Sequence, residues 1–504
     1  MSVSLMWLLD GIASIAATQA HVEDLTLDSR AVRGGSLFFA LRGQKSHGLA
    51  FAAEAAARGA SVVLWDGDGD GDGDAVQVPA PILPPSVFGA AIPGLKNLVG
   101  RIADRFFNWP SSQLRVTGIT GTNGKTTCAY LLAQCLDRLG SPAAYMGTLG
   151  WGRIGALKAP THTTPDVITV HRTLAELRAL GVREVAMEVS SHALDQERVA
   201  AVRFHSAAFT NLSRDHLDYH GSMEAYGEAK SRLFRAPDLG EIIVNIGDGF
   251  GRALAERVGG RARLSAVWVG PGTLGWTAER TLYADEVMVN LRGITLSLHG
   301  SLGAARLATR LLGRFNAENC LIVLGCLLAL GVTLVDAVSA LSLSHAAPGR
   351  MELVESSEPG RPLVVVDYAH TPDALAKALS ALREHSSGSL WCLFGCGGDR
   401  DAGKRPLMGQ VADELADHIV VTDDNPRSED PGKIARAVVA GIRAHSARVI
   451  HDRAEAIRVA LSEAGTGDAV LIAGKGHEST QVYGATHREF SDRREALRHL
   501  GVAA

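Results

Sequence analysis

The sequence predicts an α/β protein of three domains, and three features carry that prediction. The chain has 504 residues, more than one hydrophobic core usually organises. From about Arg115, short apolar β-runs alternate with helical periods, the pattern of a mostly parallel sheet covered by helices. A second alternation of the same kind begins near Pro348. The expected units are 1–106, an α/β domain; 107–346, with a phosphate-loop type of mostly parallel sheet; and 347–504, doubly wound and Rossmann-like.

The first unit mixes strand-like runs (36–40 and 61–65) with an alanine-rich helix over 50–58. Residues 66–74 are a Gly-Asp repeat, which cannot bury apolar surface and reads as a solvated insertion. It lacks the spacing and bidentate Glu of an EF-hand, so calcium is not expected there. In the second unit the strands are 116–120, 184–189, 206–210 and 242–245, with a helix over 126–139. The apolar run 320–335 is shorter than the roughly 20 residues of a spanning helix and reads as one buried core helix. In the third unit the strands are 363–366, 390–394, 418–421 and 469–473, with helices over 372–384 and 433–444.

Composition narrows the function classes. With 46% hydrophobic and 21% charged residues and a formal net charge of −4, nothing calls for nucleic acid or a membrane surface as partner. The six cysteines form no CxxC pair and show no zinc-ligand spacing, so reduced, buried thiols are expected. The start of the chain lacks a basic n-region, and Asp10 interrupts its apolar stretch, which argues against a signal peptide.

The sharpest local signal is Gly118-Ile-Thr-Gly-Thr-Asn-Gly-Lys-Thr-Thr127, an apolar strand entering a Gly-rich turn with a helix directly behind it. Backbone N–H groups of such a turn and the helix N-terminus cradle phosphate oxygens. Lys125 would reach the β/γ-phosphates and the Thr126 hydroxyl a magnesium ion. The strict Walker spacing is not met, because its first glycine would fall on Ile119.

That variant loop, TGTNGKT, resembles the nucleotide loop of the Mur ligases, ATP-dependent amide ligases of peptidoglycan synthesis. Further segments match in the same order: MEVSSHAL with Glu188, SRDHLDYHG with His216, AYGEAKSRLF with Lys230, GRFNAEN with Asn316 and Asn319, PGRMELV with Arg350 and VVVDYAHTPDA with Asp367. The resemblance implies a catalytic set of Lys125, Glu188, His216 and Lys230. It implies ATP contacts from Gly121, Thr122, Asn123, Gly124, Lys125, Thr126, Thr127, Asn316, Asn319, Arg350 and Asp367. It also implies two magnesium ions held by Thr126, Glu188, His216 and Lys230, the lysine as a carbamate (N6-carboxylysine). Read alone, Lys230 is an exposed helix lysine, and the asparagines, Arg350 and Asp367 are capping or boundary salt-bridge residues.

The segments LDSRAV and GSLFFALRG resemble the UDP-binding domain of the family's dipeptide-extending members, implying contacts from Leu27, Ser29, Gln44, Lys45 and Ser46. Thr163, Thr164, Ser190, Gln196 and Arg198 match contacts to the UDP-muramoyl-dipeptide. The incoming amino acid is read from Asp424-Asn425-Pro426-Arg427, the form of diaminopimelate-adding members; lysine-adding relatives lack the arginine. Diaminopimelate carries one carboxylate more than lysine, and a guanidinium grips a carboxylate with two parallel hydrogen bonds. Arg400, Gly474 and Glu478 match the remaining amino-acid contacts, with Glu478 on the distal ammonium. The resemblance thus implies small-molecule partners only (ATP, UDP-muramoyl-dipeptide and meso-diaminopimelate), a monomer and a cytoplasmic location. The alternatives are a lysine-adding or folylpolyglutamate ligase, a phosphate-loop kinase, and a nucleotide-binding protein without catalysis.

Overall fold

A computed structural model describes residues 2–43, 46–67, 80–159, 162–272, 276, 280–356 and 360–502. Gln44, Lys45 and most of the Gly-Asp repeat lie outside the described residues. Three large sheets follow one another along the chain. The first has four parallel strands in the order Asp24–Thr26, Ser36–Ala40, Ala60–Asp66, Phe88–Ile92. The second has ten strands. Its parallel middle runs Ala143–Gly147, Glu184–Glu188, Arg115–Thr120, Ser206–Phe209, Glu241–Asn245, Arg263–Val269, Arg280–Asn290, and antiparallel strands finish both edges. The third has six strands, parallel except for the edge pair Glu352–Val354 and Leu363–Asp367.

The apolar runs in the sequence are continuous because both faces of these sheets are buried. Along Ala143–Gly147, Ala143 and Tyr145 join one core while Ala144 and Met146 join the other. The helices Lys125–Arg138 and Asn316–Ala329 cover the first face, and Val167–Ala179 with Gly249–Val258 cover the second. The third sheet repeats the plan: Val365 faces helices Pro372–Arg383 and Lys404–Leu415, whereas Val364 and Val366 face Arg453–Glu463. Alternation of period two between two covered faces is what a doubly wound sheet requires.

Three expectations are corrected. The run 320–335 is not one helix: Asn316–Ala329 ends before Gly331, which sits at φ +88°, and Thr333 caps a new helix, Leu334–Ser342, by accepting from the Asp336 N–H. Val335 is consequently 76% exposed rather than part of the core. The helix expected over 433–444 is Pro431–Val439, started by Asp430 and the proline at its first turn. In the first unit the α-helix covers only Ala52–Ala57, after a 3₁₀ turn at Gly48–Phe51. All six cysteines are free and buried, as expected, and among the described residues no helix is long and apolar enough to cross a membrane.

Candidate active site

The turn after strand Arg115–Thr120 lies where the carboxyl ends of three parallel strands meet, flanked by Glu184–Glu188 and Ser206–Phe209. The chain leaves that strand towards one side and later returns to the other, so the turn occupies a topological switch point, the place where open α/β sheets bind ligands. Helix Lys125–Arg138 starts at the turn with its free N–H groups and positive dipole end. Gly124 stands at φ +84°, and a Cβ there would lie 2.3 Å from Asn319 Oδ1, so only glycine fits.

Two lysines converge on this turn. Lys125 Nζ donates to the carbonyls of Gly121 at 3.0 Å and Thr122 at 2.9 Å. Lys230 Nζ donates to the same Gly121 carbonyl at 2.8 Å and stands over the Tyr226 ring, 4.3 Å from its centroid. Lys230 is 1% exposed, so its reading as an exposed helix lysine is overturned. Burial, reinforced by the Lys125 charge, brings its amine down to about 6, and burial also lowers Lys125. That shift favours the unprotonated, nucleophilic form of the Lys230 amine.

Glu188, at the end of its strand, is 1% exposed and fully engaged. Its Oε1 accepts from the Thr148 N–H at 2.9 Å and from the Tyr145 hydroxyl; its Oε2 accepts from Thr126 at 2.9 Å and Thr148 Oγ1 at 3.3 Å. His216 lies apart, half-exposed at φ +52°, packed on His192 with ring centroids 4.8 Å apart. It makes no hydrogen bond or ion pair with Glu188 or Thr126. Among the described residues no three His, Cys, Asp or Glu side chains form a metal-holding group. The fit to magnesium rests on the paired hydroxyl and carboxylate oxygens of Thr126 and Glu188, hard donors of the kind that ion takes.

A cleft of about 750 Å³ opens from the turn towards the third sheet, with Asn123, Thr127, Asn316 and Asn319 on one wall and Arg350 and Asp367 on the other. Asn319 Nδ2 donates to Asn316 Oδ1 at 2.7 Å, and Asn316 Nδ2 to the Leu312 carbonyl at 2.7 Å, which fixes both amides. Arg350 lays its guanidinium on the Tyr368 ring at 4.9 Å, and its buried Nε has no hydrogen-bond partner among the described residues. Asp367 accepts from the N–H groups of Met351 and Ala369 at 2.7 and 2.8 Å. Its carboxylate ties the segment after Arg350 to the end of its own strand, and burial raises its pKa.

Beside Glu188 the structure gathers a second set. Thr164 Oγ1 donates to the Glu188 carbonyl at 2.9 Å, and Thr163 Oγ1 lies 3.2 Å from Thr148 Oγ1. Ser190 caps helix Ser191–Asp195, while Arg198 forks onto Gln196 Oε1 and reaches the Thr164 carbonyl at 2.9 Å. In the first unit Leu27 is half-buried, Ser29 donates to Glu54 at 3.2 Å, and Ser46 is exposed with its carbonyl on the Gly43 N–H.

The third set sits on the carboxyl ends of the third sheet. Arg427, at φ +52°, turns inward: its Nη1 donates to the Gly398 carbonyl at 2.7 Å, and its backbone pairs with Val482 and Gly484. A Cβ on Gly397 would stand 2.9 Å from Arg427 Nη1 and 3.8 Å from Arg400 Cγ, so both arginines border this glycine. Asn425 donates to Glu478 Oε2 at 2.8 Å, and a Cβ on Gly474 would lie 2.7 Å from Asp424 Oδ2. Burial raises the Asp424 pKa. The Pro426 carbonyl would lie 1.9 Å from a Cβ on Gly398, which packs the two loops back to back.

Comparison with known proteins matches residues 21–98 to "Mur ligase family, catalytic domain", 119–327 to "Mur ligase middle domain" and 349–476 to "Mur ligase, glutamate ligase domain". A protein of Alkalilimnicola ehrlichii named UDP-N-acetylmuramoyl-L-alanyl-D-glutamate--2,6-diaminopimelate ligase is 46% identical over 96% of both chains. The chain belongs to the Mur ligase family. A similarly named protein of Pseudomonas aeruginosa is 46% identical over 95% of each chain. Among solved structures, one titled as the same ligase has TM-score 0.71 and 34% identity over 99% of both chains. A folylpolyglutamate synthase of Mycobacterium tuberculosis shares the fold at TM-score 0.59 and 19% identity; it covers 92% of itself but only 75% of this chain.

In this Mur ligase several engaged residues carry no motif signal of their own. Tyr145 and Thr148 hold Glu188 from a neighbouring strand end, 43 and 40 residues away. Lys475, inside the AGKGHE segment, is 0% exposed and bonded to both Asn425 and Glu478. The buried pair Arg453–Asp492 lies 39 residues apart in sequence. The sequence shows only a lysine between Gly474 and Gly476; its burial, and hence its need for partners, is seen only in the fold.

Proposed function

We infer that the chain is an ATP-dependent ligase that adds meso-2,6-diaminopimelate to UDP-N-acetylmuramoyl-L-alanyl-D-glutamate in peptidoglycan synthesis, working as a cytoplasmic monomer of three units, 1–106, 107–346 and 347–504. The carrying observation for the amino acid is the inward Arg427: one guanidinium nitrogen is fixed on Gly398, leaving the others for a carboxylate. The matches to 21–98, 119–327 and 349–476 fall inside the three units and support that division.

The chemistry asks for charge neutralisation and positioning rather than a protein nucleophile. The turn Gly121–Thr127 and Lys125 bind the ATP phosphates; Asn316, Asn319, Arg350 and Asp367 border the nucleoside side of the cleft. The substrate carboxylate, held by Thr163, Thr164, Ser190, Gln196 and Arg198, attacks the γ-phosphorus; ADP leaves and an acyl phosphate forms. The diaminopimelate amine then attacks the acyl carbon, phosphate leaves and one proton is lost. Leu27, Ser29, Gln44, Lys45 and Ser46 take the uridine end. Arg400, Asp424–Arg427, Gly474 and Glu478 hold the amino acid.

Thr126, Glu188, His216 and Lys230 would hold magnesium, two ions in all, which supplies charge neutralisation along the phosphates. For Lys230 this requires its unprotonated amine to attack carbon dioxide, forming an N–C bond and releasing a proton, so that a donor becomes an anionic oxygen ligand. The lowered amine pKa supports that step. An amino-acid panel tests the whole reading: ADP release should depend on the UDP-dipeptide and on diaminopimelate, with lysine far slower. Equal rates with lysine, or ATP turnover yielding a phosphorylated final product, would overturn it.

A further inference from the structure

Glu478 is read above as the contact for the distal ammonium of the amino acid, and the inference drawn here rests on that reading. A carboxylate that must face one ammonium has two oxygens and a freely turning terminal torsion. In the structure that torsion is not free. Glu478 Oε2 accepts from Lys475 Nζ at 3.1 Å and from Asn425 Nδ2 at 2.8 Å, while Oε1 has no partner among the described residues. The lysine is 0% exposed, and its other two bonds go to Asn425 Oδ1 at 3.2 Å and the Thr480 carbonyl at 2.6 Å. All three ammonium protons are thus used, and they close a triangle of Lys475, Asn425 and Glu478.

We propose that Lys475 is a positioning residue for amino-acid selection: it occupies one oxygen of Glu478 and the carbonyl of Asn425, so that the remaining Glu478 oxygen and the Asn425 loop face the incoming ammonium. With its three protons committed, the lysine has none left for a substrate. Its placement is secured from beneath, where Arg453, 1% exposed, forks onto Asp492 at 2.6 and 2.8 Å. The same guanidinium reaches the Ala473 carbonyl at 2.9 Å and the Asp423 carbonyl at 3.4 Å. These are the residues that lead into the Gly474–Glu478 and Asp424–Arg427 loops. Gln481 adds bonds to the carbonyls of Asp423 and Asp424 at 3.3 and 3.2 Å. A buried pair of this kind contributes little net stability, and its reach to two loop carbonyls points to geometry as its role.

The test compares Lys475→Met and Lys475→Gln with the parent enzyme in KM for diaminopimelate, KM for ATP, and exchange of label between ADP and ATP in the absence of amino acid. K475M should raise KM for diaminopimelate about 10- to 100-fold, the loss of a charged hydrogen bond, with the other two readouts within about twofold. K475Q, which keeps one donor, should fall between. A double-mutant cycle with Glu478→Gln should show strong non-additivity, because the freed carboxylate no longer points at the ligand. An unchanged KM for diaminopimelate, an equal rise in KM for ATP, or loss of exchange in both variants overturns the proposal; the last two outcomes make Lys475 merely structural. If Glu478→Gln alone leaves the diaminopimelate KM unchanged, the underlying reading of Glu478 fails instead. If E478Q raises that KM while K475M does not, only the positioning role fails.

Discussion

The turn proposed to bind ATP and the loops proposed to hold the amino acid both sit on carboxyl ends of parallel strands, yet they treat charge in opposite ways. At the turn, Lys125 and Lys230 crowd a single carbonyl and neither forms an ion pair with a described residue. At the loops, each buried cation has its own anion: Lys475 with Glu478, Arg453 with Asp492. The first arrangement leaves the Lys125 ammonium without an anion, open to a polyanion, beside a Lys230 amine whose charge burial disfavours. The second suits a zwitterion, whose ammonium and carboxylate groups need direction more than net charge. The same fold element thus carries two different arrangements of buried charge.

The largest expected effect breaks the first region. Lys125→Ala should lower kcat for amide formation by on the order of a thousandfold or more, since phosphoryl transfer depends on preorganised positive charge. Steady-state rates on protein with an intact circular-dichroism spectrum check this, and full turnover would remove Lys125 from the machinery. In the second region Arg427→Ala should act on choice rather than on rate. The ratio of kcat/KM for diaminopimelate over lysine should fall about 100-fold, the worth of a bidentate carboxylate contact. A fall in both substrates alike would make Arg427 a loop brace and nothing more.

The unbalanced region also predicts a stability signature. Lys230 is pulled to about 6 by burial, whereas the unfolded chain holds that proton up to about 10.4. Between about pH 7 and 10 the unfolded state therefore binds one proton more than the folded state, and stability rises with pH by about 1.4 kcal/mol per unit from this group. Lys230→Met removes the rise. Denaturant titrations without bicarbonate or nucleotide should show the variant relatively more stable at pH 7, the gap closing towards pH 10. Parallel pH dependences in the two proteins would show that the amine stays charged in the fold.

What could be read from the sequence divides along the same line as the two regions. The turn Gly121–Lys125 is local: strand, glycines, lysine and helix are contiguous, so its place was legible. The strands were legible too, because Val364–Val366 or Leu390–Phe394 must be apolar on both faces wherever they pair. The break at Gly331 was not, since Val332 and Leu334 keep the run apolar across it. Nor was the burial of Lys230, which depends on how its helix is laid over the turn 109 residues earlier. The triangle around Lys475 needs Asn425 brought from 50 residues away, and the fork of Arg453 needs Asp492. Such contacts are set by sheet order, which a single sequence with its local periodicities does not specify.

The smallest expected effect lies on the seam between the two regions. His385, 1% exposed at the end of helix Pro372–Arg383, accepts the Gly313 N–H on Nε2 at 2.8 Å and bonds the Asn290 carbonyl through Nδ1 at 2.6 Å. Asn290 ends a strand of the ten-stranded sheet, whereas helix Pro372–Arg383 packs on the six-stranded one, so this imidazole ties the two sheets together. Nε2 can accept only while the ring is neutral, and burial duly lowers its pKa below the ordinary 6.5. The unfolded chain then takes up the proton first, so wild-type stability falls as pH drops below about 6.5 while the neutral amide of His385→Gln is indifferent. Urea midpoints at pH 7 and pH 5.5 read the difference. A variant that loses as much stability on acidification as the wild type would show that the seam is held by the neighbouring Arg314–Glu384 and Arg310–Glu355 ion pairs rather than by a neutral imidazole.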